Sequence, residues 1–435
     1  MKNLINCTSS DFDFFSEQKT QNMIRDGVLT YFPADLKSDT QATILIEGSP
    51  QFLDLSKAQL YVKVKVYKYD KSTNLTAPLL NTDTISLTNN TLHSLWSQID
   101  LYLNDAKVEN KMFYGLQSYI QDLLNHNREY KQTCFQAQGW FDDEAGQMNN
   151  VTLIKNESNQ NQEFNRGLVQ RRNLLNTGEV EFMGAPHLDL FNNGKFLLNQ
   201  TKMSLVLTQN SDNFVLMGTG DYRIKVIKAG LWVKKLTAND SIQNAVNMQL
   251  EKSFANYDIN LTKVITRKIE TAGLGETLQI CTGLIPKTVI LGIADYQSTV
   301  IGKVDKNPFN FHHHNLKSIN LMENGRSYPY SGALDFNFGK KEYLTGFKSL
   351  ETHSKSIYGN GISREDFAGG YALYVFDMTP NGECSEIIDV DRSGNLSVAL
   401  EFTEESGQPL VLVCYLEYNN TIQLDKLRNF VVDSN

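Results

Sequence analysis

Proline is scarce in this chain, nine in 435 residues, and paired cysteines, long apolar runs and an excess of positive charge are lacking altogether. Each shortage excludes something. The five cysteines, Cys7, Cys134, Cys281, Cys384 and Cys414, are odd in number, widely scattered and contain no Cys-x-x-Cys pair. A disulfide framework is therefore not expected, and reduced, mostly buried thiols are. The longest clearly apolar run, Leu410 to Leu416, is far short of the ~20 residues that cross a bilayer, so no membrane span is expected. A formal net charge of −8 lacks the basic excess of a general nucleic-acid-binding surface. The first residues carry Asn6, Thr8, Asp11 and Asp13 where a signal peptide needs an unbroken apolar core, so secretion by that route is not expected. There is no Gly-x-Ser-x-Gly elbow, Walker loop or His-Glu-x-x-His string, and the glycines from Gly359 to Gly361 lack the Lys-Ser/Thr of a phosphate loop. Neither a catalytic residue nor a cofactor is expected.

What is present is aromatic and hydrophobic: 23 Phe, 19 Tyr and 41% apolar residues, the composition of a packed β-rich protein. The length exceeds what one core usually supports, which predicts two units of roughly 200 residues. Leu60, Val62, Val64 and Val66 alternate with Lys63, Lys65 and Lys68, the pattern of a half-buried antiparallel strand. Strands are likewise predicted at Thr40 to Glu47, Trp96 to Leu103, Val180 to Phe182, Leu188 to Phe191, Lys202 to Thr208 and Tyr222 to Leu236. Phe113, Leu116, Ile120, Leu123 and Leu124 fall on one helical face, and a second helix, capped by Thr237 or Asn239, runs to about Leu250. From Asp142 to Gln170 the chain is polar, with no apolar period, and reads as a long surface loop.

The second half predicts strands at Ile259 to Ile269, Leu278 to Cys281, Thr288 to Ile293 and Ile319 to Glu323, and then repeats an order already met. Ile319 to Gly325 parallels Ile99 to Asp105, and each is followed by a Tyr-bearing helical segment, Tyr343 to Leu350 and Tyr114 to Leu124. Tyr371 to Phe376 matches His187 to Phe191, Asn395 to Leu400 matches Lys202 to Leu207, and Val411 to Tyr418 matches Ala229 to Val233. Element order and spacing carry this duplication, not residue identity. Many short antiparallel strands in two copies predict an all-β chain of two tandem eight-stranded jelly rolls, with a few short helices in the connections. The expected division is an arm at 1–26, a first jelly roll at 27–250 and a second at 251–435.

Within the second copy lies a punctuated stretch, Gly359 to Pro380. Ser363 is placed to cap a short helix with Asp366 three residues on, and Gly369-Gly370 leads into the aromatic strand Tyr371 to Met378, expected to be a central, fully buried strand. The string Gly361 to Pro380, with Asp305 to Phe311, Leu95 to Asp100 and Asn165 to Arg172, resembles the major capsid proteins of Polinton (Maverick) elements and adintovirus-like viruses, in the same order from about Asp26 to the C-terminus. The resemblance implies a double jelly roll whose homotrimers are pseudo-hexameric tiles of an icosahedral shell. It also implies penton-type and other minor capsid proteins as partners, a double-stranded DNA genome enclosed without specific binding, and a location in the virion. The single jelly roll of penton-type proteins fits a duplicated chain less well.

Three groups invite a more specific role. His312, His313 and His314 would place His312 and His314 on one strand face, but a cupin-type metal site needs a carboxylate four or five residues on, where Ser318 and Ile319 stand, and no second His motif with Pro and Gly follows at His353. No metal is expected there, and packing beside Phe309 and Phe311 is. Arg166, Arg171 and Arg172 form a small basic cluster, suited to an inter-subunit salt bridge or to DNA phosphates. Phe12, Phe14 and Phe15 are too few to bury themselves, and Lys2, Lys19 and Arg25 are balanced by Asp11, Asp13, Glu17 and Asp26, which makes an assembly arm a better reading than a genome-binding tail. The readings from other classes are a double-jelly-roll glycan-cleaving hydrolase, which would need paired carboxylates in a cleft, and a carbohydrate-binding module.

Overall fold

Leu60, Val62, Val64 and Val66 are wholly inaccessible, whereas Lys63 and Lys65 reach the two oxygens of Glu179 at 3.0 Å each on the outer face. Alternation of this kind builds two sandwiches in a computed structural model that describes residues 21–38, 40–70, 72–153, 164–175, 178–270, 274–352, 359–380 and 390–432. Phe12, Phe14, Phe15, Cys7, Cys384 and His353 lie outside the described residues.

The first set of strands is β1 (Ile24–Ser38), β2 (Gln41–Ile46), β3 (Phe52–Asp70), β4 (Leu75–Pro78), β5 (Ile85–Leu87), β6 (Trp96–Leu103), β7 (Ala106–Met112), β8 (Glu179–Gly184), β9 (Met203–Gln209), β10 (Leu216–Gly218) and β11 (Tyr222–Ala238). The second is β12 (Ala255–Ile269), β13 (Gly275–Leu284), β14 (Thr288–Asp295), β15 (Leu316–Glu323), β16 (Arg326–Ser327), β17 (Leu334–Asp335), β18 (Leu373–Asp377), β19 (Ser393–Phe402), β20 (Leu410–Leu424) and β21 (Phe430–Val432). One layer of the first sandwich runs β8-β3-β11-β1 and the other β2-β9-β6-β7. The second repeats this strand for strand, β18-β14-β20-β12 over β13-β19-β15-β16. Every pairing between these strands is antiparallel, and each layer set is an eight-stranded jelly roll. The turns repeat as well. Asn104-Asp105 between β6 and β7, and Asn324-Gly325 between β15 and β16, all have positive φ, as a two-residue type I′ hairpin requires.

β1 is the strand without a sequence signature. It pairs with β11 from Ile24 to Pro33 and then with β2 from Ala34 to Ser38, so it turns the corner between layers. Pro33 sits at the switch, opposite Gly230, where a missing ladder donor costs least. β1 therefore begins inside the segment 1–26.

Three local expectations need correction. The counterpart of β18 in the first sandwich is β8, not His187 to Phe191, where Leu190–Asn192 is a 3₁₀ turn. Its backbone donors at Asp189 and Leu190 go to the Glu109 carboxylate at 2.9 and 2.7 Å instead of to a ladder. The polar loop ends earlier than expected, in a helix Arg166–Leu174 capped by Asn165. It was hidden because it buries Gly167, Leu168 and Arg171 rather than an apolar stripe. β18 is buried on both faces but is an edge strand, paired among the described residues with β14 alone. Its open side is covered by the helix Leu344–Thr352, whose Ser349 hydroxyl accepts from Val375 N at 3.0 Å, a usual protection of a sheet edge.

The cores interlock. Tyr257, Ile259, Ile422, Leu424 and Phe430 of the second strand set pack into the first core. Conversely, Leu116, Tyr119, Ile120, Leu123 and Leu124 of the helix Tyr114–Asn125 pack into the second. Tyr119 stacks on Phe309 at 4.2 Å between ring centres.

Candidate functional site

The polar groups that matter lie along the seam between the two sandwiches. Lys111 on β7 and Asp189 are buried and ion-paired to each other. Lys111 Nζ also donates to the carbonyl and hydroxyl of Thr262 on β12, both at 2.9 Å. Thr262 in turn donates to Asp189 through N at 2.9 Å and Oγ1 at 2.7 Å, and Gln117 adds a donor to Thr262 Oγ1. Beneath this group is Glu109, fully enclosed; burial first, and the neighbouring Asp189 second, push its carboxyl up to about 7. Thus one threonine of the second sandwich is held by a charged pair of the first.

A second junction centres on Asp143. Arg171, with no accessible surface, gives Nε to Leu87 O at 2.8 Å, Nη1 to Phe141 O at 2.7 Å and Nη2 to the Asp143 carboxylate. That carboxylate also accepts from Asn165 Nδ2 at 2.8 Å and, across the seam, from Asn307 Nδ2 at 2.9 Å. Tyr371 OH donates to Asp143 O at 2.7 Å. Arg166, Arg171 and Arg172 therefore do not share a surface. Arg171 is spent on internal acceptors and is closed to DNA or a neighbouring subunit. Arg172 is half-buried and turns to the carbonyls of Asp83, Leu175 and Leu80, and Arg166, exposed and 3.5 Å from Glu144, faces solvent.

The Gly359 to Pro380 stretch lies along the same seam. Ser363 and Asp366 form a reciprocal capping box. Gly369 O accepts from Gly146 N at 2.7 Å, and the backbones pass so close that a Cβ on Gly370, at φ 130°, would meet Met148 Sδ at 2.1 Å. Upstream, Asn360 O accepts from the buried Lys131 Nζ at 2.7 Å; burial pushes that ammonium down to about 8.

The histidine triplet is not a strand face. His314 and Asn315 have positive φ, His312 Nδ1 accepts from His314 N and His313 Nδ1 from Asn315 N, and His313 stacks on Phe338 at 3.8 Å. Phe309 and Phe311 are buried elsewhere, near Tyr119. The group that sequence reasoning missed is His93, Asp122 and His187, brought together from a short helix Thr91–Ser94, the helix Tyr114–Asn125 and the segment after β8, with ligand atoms within 4.8 Å of one another. No spacing rule links residues so far apart in sequence.

No family model matches the chain. Solved structures do, over nearly its whole length. A chain of the Sputnik virophage, seen by cryo-EM, is similar over 97% of this chain and 91% of its own, with a TM-score of 0.63 and 11% identity. The fold is that of viral major capsid proteins. The mavirus major capsid protein matches 97% of this chain with 94% of its own at TM-score 0.53 and 10% identity. The Faustovirus major capsid protein matches 95% with 93% at TM-score 0.56 and 7% identity. By sequence, the chain is 22% identical to the uncharacterized protein F54H12.2 of Caenorhabditis elegans over 360 residues, 80% of this chain and 81% of that one.

Proposed function

We propose that the protein is a structural major capsid protein whose homotrimers act as pseudo-hexameric tiles of an icosahedral shell. The observation that carries this reading is the repetition of one eight-strand order in two sandwiches of a single chain. Three such chains around an axis present six near-equivalent sandwiches. The sealed seam supports it, because a tile must keep its two halves in fixed relation. The two folding units of the proposal are 27–250, with its first strand reaching back to Ile24, and 251–435, joined through the helix Asp240–Leu250. The virion is the proposed location. The tile's partners are further copies of itself and penton-type minor proteins, around double-stranded DNA that is enclosed rather than read. Resemblance to Polinton and adintovirus-like capsid proteins supports a place among those elements.

No catalytic role is proposed. The buried carboxylates Glu109 and Asp189 are closed to a glycan by Thr262, Lys111 and backbone donors, unlike the open pair of a hydrolase. Phe12, Phe14 and Phe15 are assigned to an arm that joins neighbouring tiles. Negative-stain microscopy of the purified protein tests the reading: three-lobed particles with a six-sided outline are expected, and dispersed two-lobed monomers would refute it. Deleting residues 1–20, upstream of β1, is expected to leave these particles intact and to lower the yield of closed shells.

A further inference from the structure

His93 is a fully buried histidine whose Nδ1 lies 3.0 Å from Tyr114 OH and whose ring meets that of His187 edge-on at 4.6 Å between centres. Its Nε2 has no hydrogen-bond partner, a costly state for a buried ring nitrogen unless something else occupies it. His187 approaches through Nε2, 3.1 Å from the Asp122 carboxylate, and retains some exposure. Asn90 Nδ2 and Gln138 Nε2 hold that carboxylate at 2.8 Å each. From this geometry we infer that His93, Asp122 and His187 bind a divalent transition metal of the zinc class, with water as a fourth ligand.

The donor set is two imidazoles and one carboxylate, which suits zinc and not calcium or magnesium. Tyr114, Asn90 and Gln138 are the outer groups that orient the ligands. His187, the least buried of the three, marks the way in from solvent. The bound ion would tie the helix Tyr114–Asn125, which fills the second core, to two other segments of the first sandwich, and so would act as a structural staple.

The test uses the full chain, stripped with a chelator, reloaded with Zn²⁺ and desalted. Retention of about one zinc per chain is expected, with a melting temperature at least about 5 °C above the stripped protein at saturating zinc. His93→Gln and His187→Gln are each expected to cut retention at least about tenfold. Co²⁺ in the wild-type chain should give the intense visible bands of a tetrahedral nitrogen and oxygen site, a readout that stands even if a variant fails to fold. Wild-type retention no greater than that of the double variant, retention that survives both substitutions, or only a weak octahedral Co²⁺ spectrum would each overturn the assignment.

Discussion

Asp189 and Lys111 show how much can hang on single side chains. Removing one member of a buried, hydrogen-bonded pair strands the other, at about 3–5 kcal/mol. Asp189→Ala should therefore lower the urea midpoint by a corresponding amount, whereas Arg166→Ala, which removes an exposed pair, should move it by no more than about 1 kcal/mol. Glu109 gives the same junction a pH dependence. Its carboxyl is raised in the folded protein from 4.5 to about 7, so the folded state binds the proton more tightly than the unfolded chain. The resulting stability is fully present below pH 4.5 and is lost as the pH rises through about 7. Urea midpoints at pH 5 and pH 8 should differ less for Glu109→Gln than for the wild type; an unchanged difference would remove Glu109 from the explanation.

At the scale of elements, covering an edge and passing two backbones closely do the work that propensity does not. Ser349→Ala removes the acceptor of Val375 N on the covered edge of β18 and should cost about 1–3 kcal/mol, read as faster amide exchange along β18 rather than along β14. Gly370→Ala adds a methyl at a positive φ against Met148, and should destabilise more than Gly325→Ala, which has the same sign of φ but open space around it. Comparing the two thermal midpoints separates crowding from backbone strain. These cases also show what was legible in the sequence. β3, β6 and the helix Tyr114–Asn125 were, because one face of each is apolar and the other polar. β1 was not, because a mostly exposed strand that changes layers at Pro33 has no alternation. The central placement of β18 was misread because a helix can bury an edge strand as fully as another strand does. Nor was the charged seam legible. Arg171 and Lys111 look like surface residues until partners from distant segments are brought to them, and His93, Asp122 and His187 meet only through the fold. Of the four segments that carried the resemblance, three fare better: Asp305 to Phe311, Asn165 to Arg172 and Gly361 to Pro380 converge on the Asp143 junction.

For the whole molecule, the interlocked cores have a thermodynamic consequence. Because Tyr119 and its helix neighbours are shared with the second core, the two sandwiches should melt together, and Tyr119→Ala should broaden or divide the calorimetric transition in addition to lowering it by about 3–5 kcal/mol. A seam this rigid is what a tile requires, and a tile is defined by how many copies it contains. The solution mass of the purified chain, by light scattering at micromolar concentration and neutral pH, bears on that point without intermediate assumptions. A mass of three chains, stable on dilution, is the expected result. A mass of one chain, unchanged by higher salt or by crowding, would contradict the capsid reading at its root.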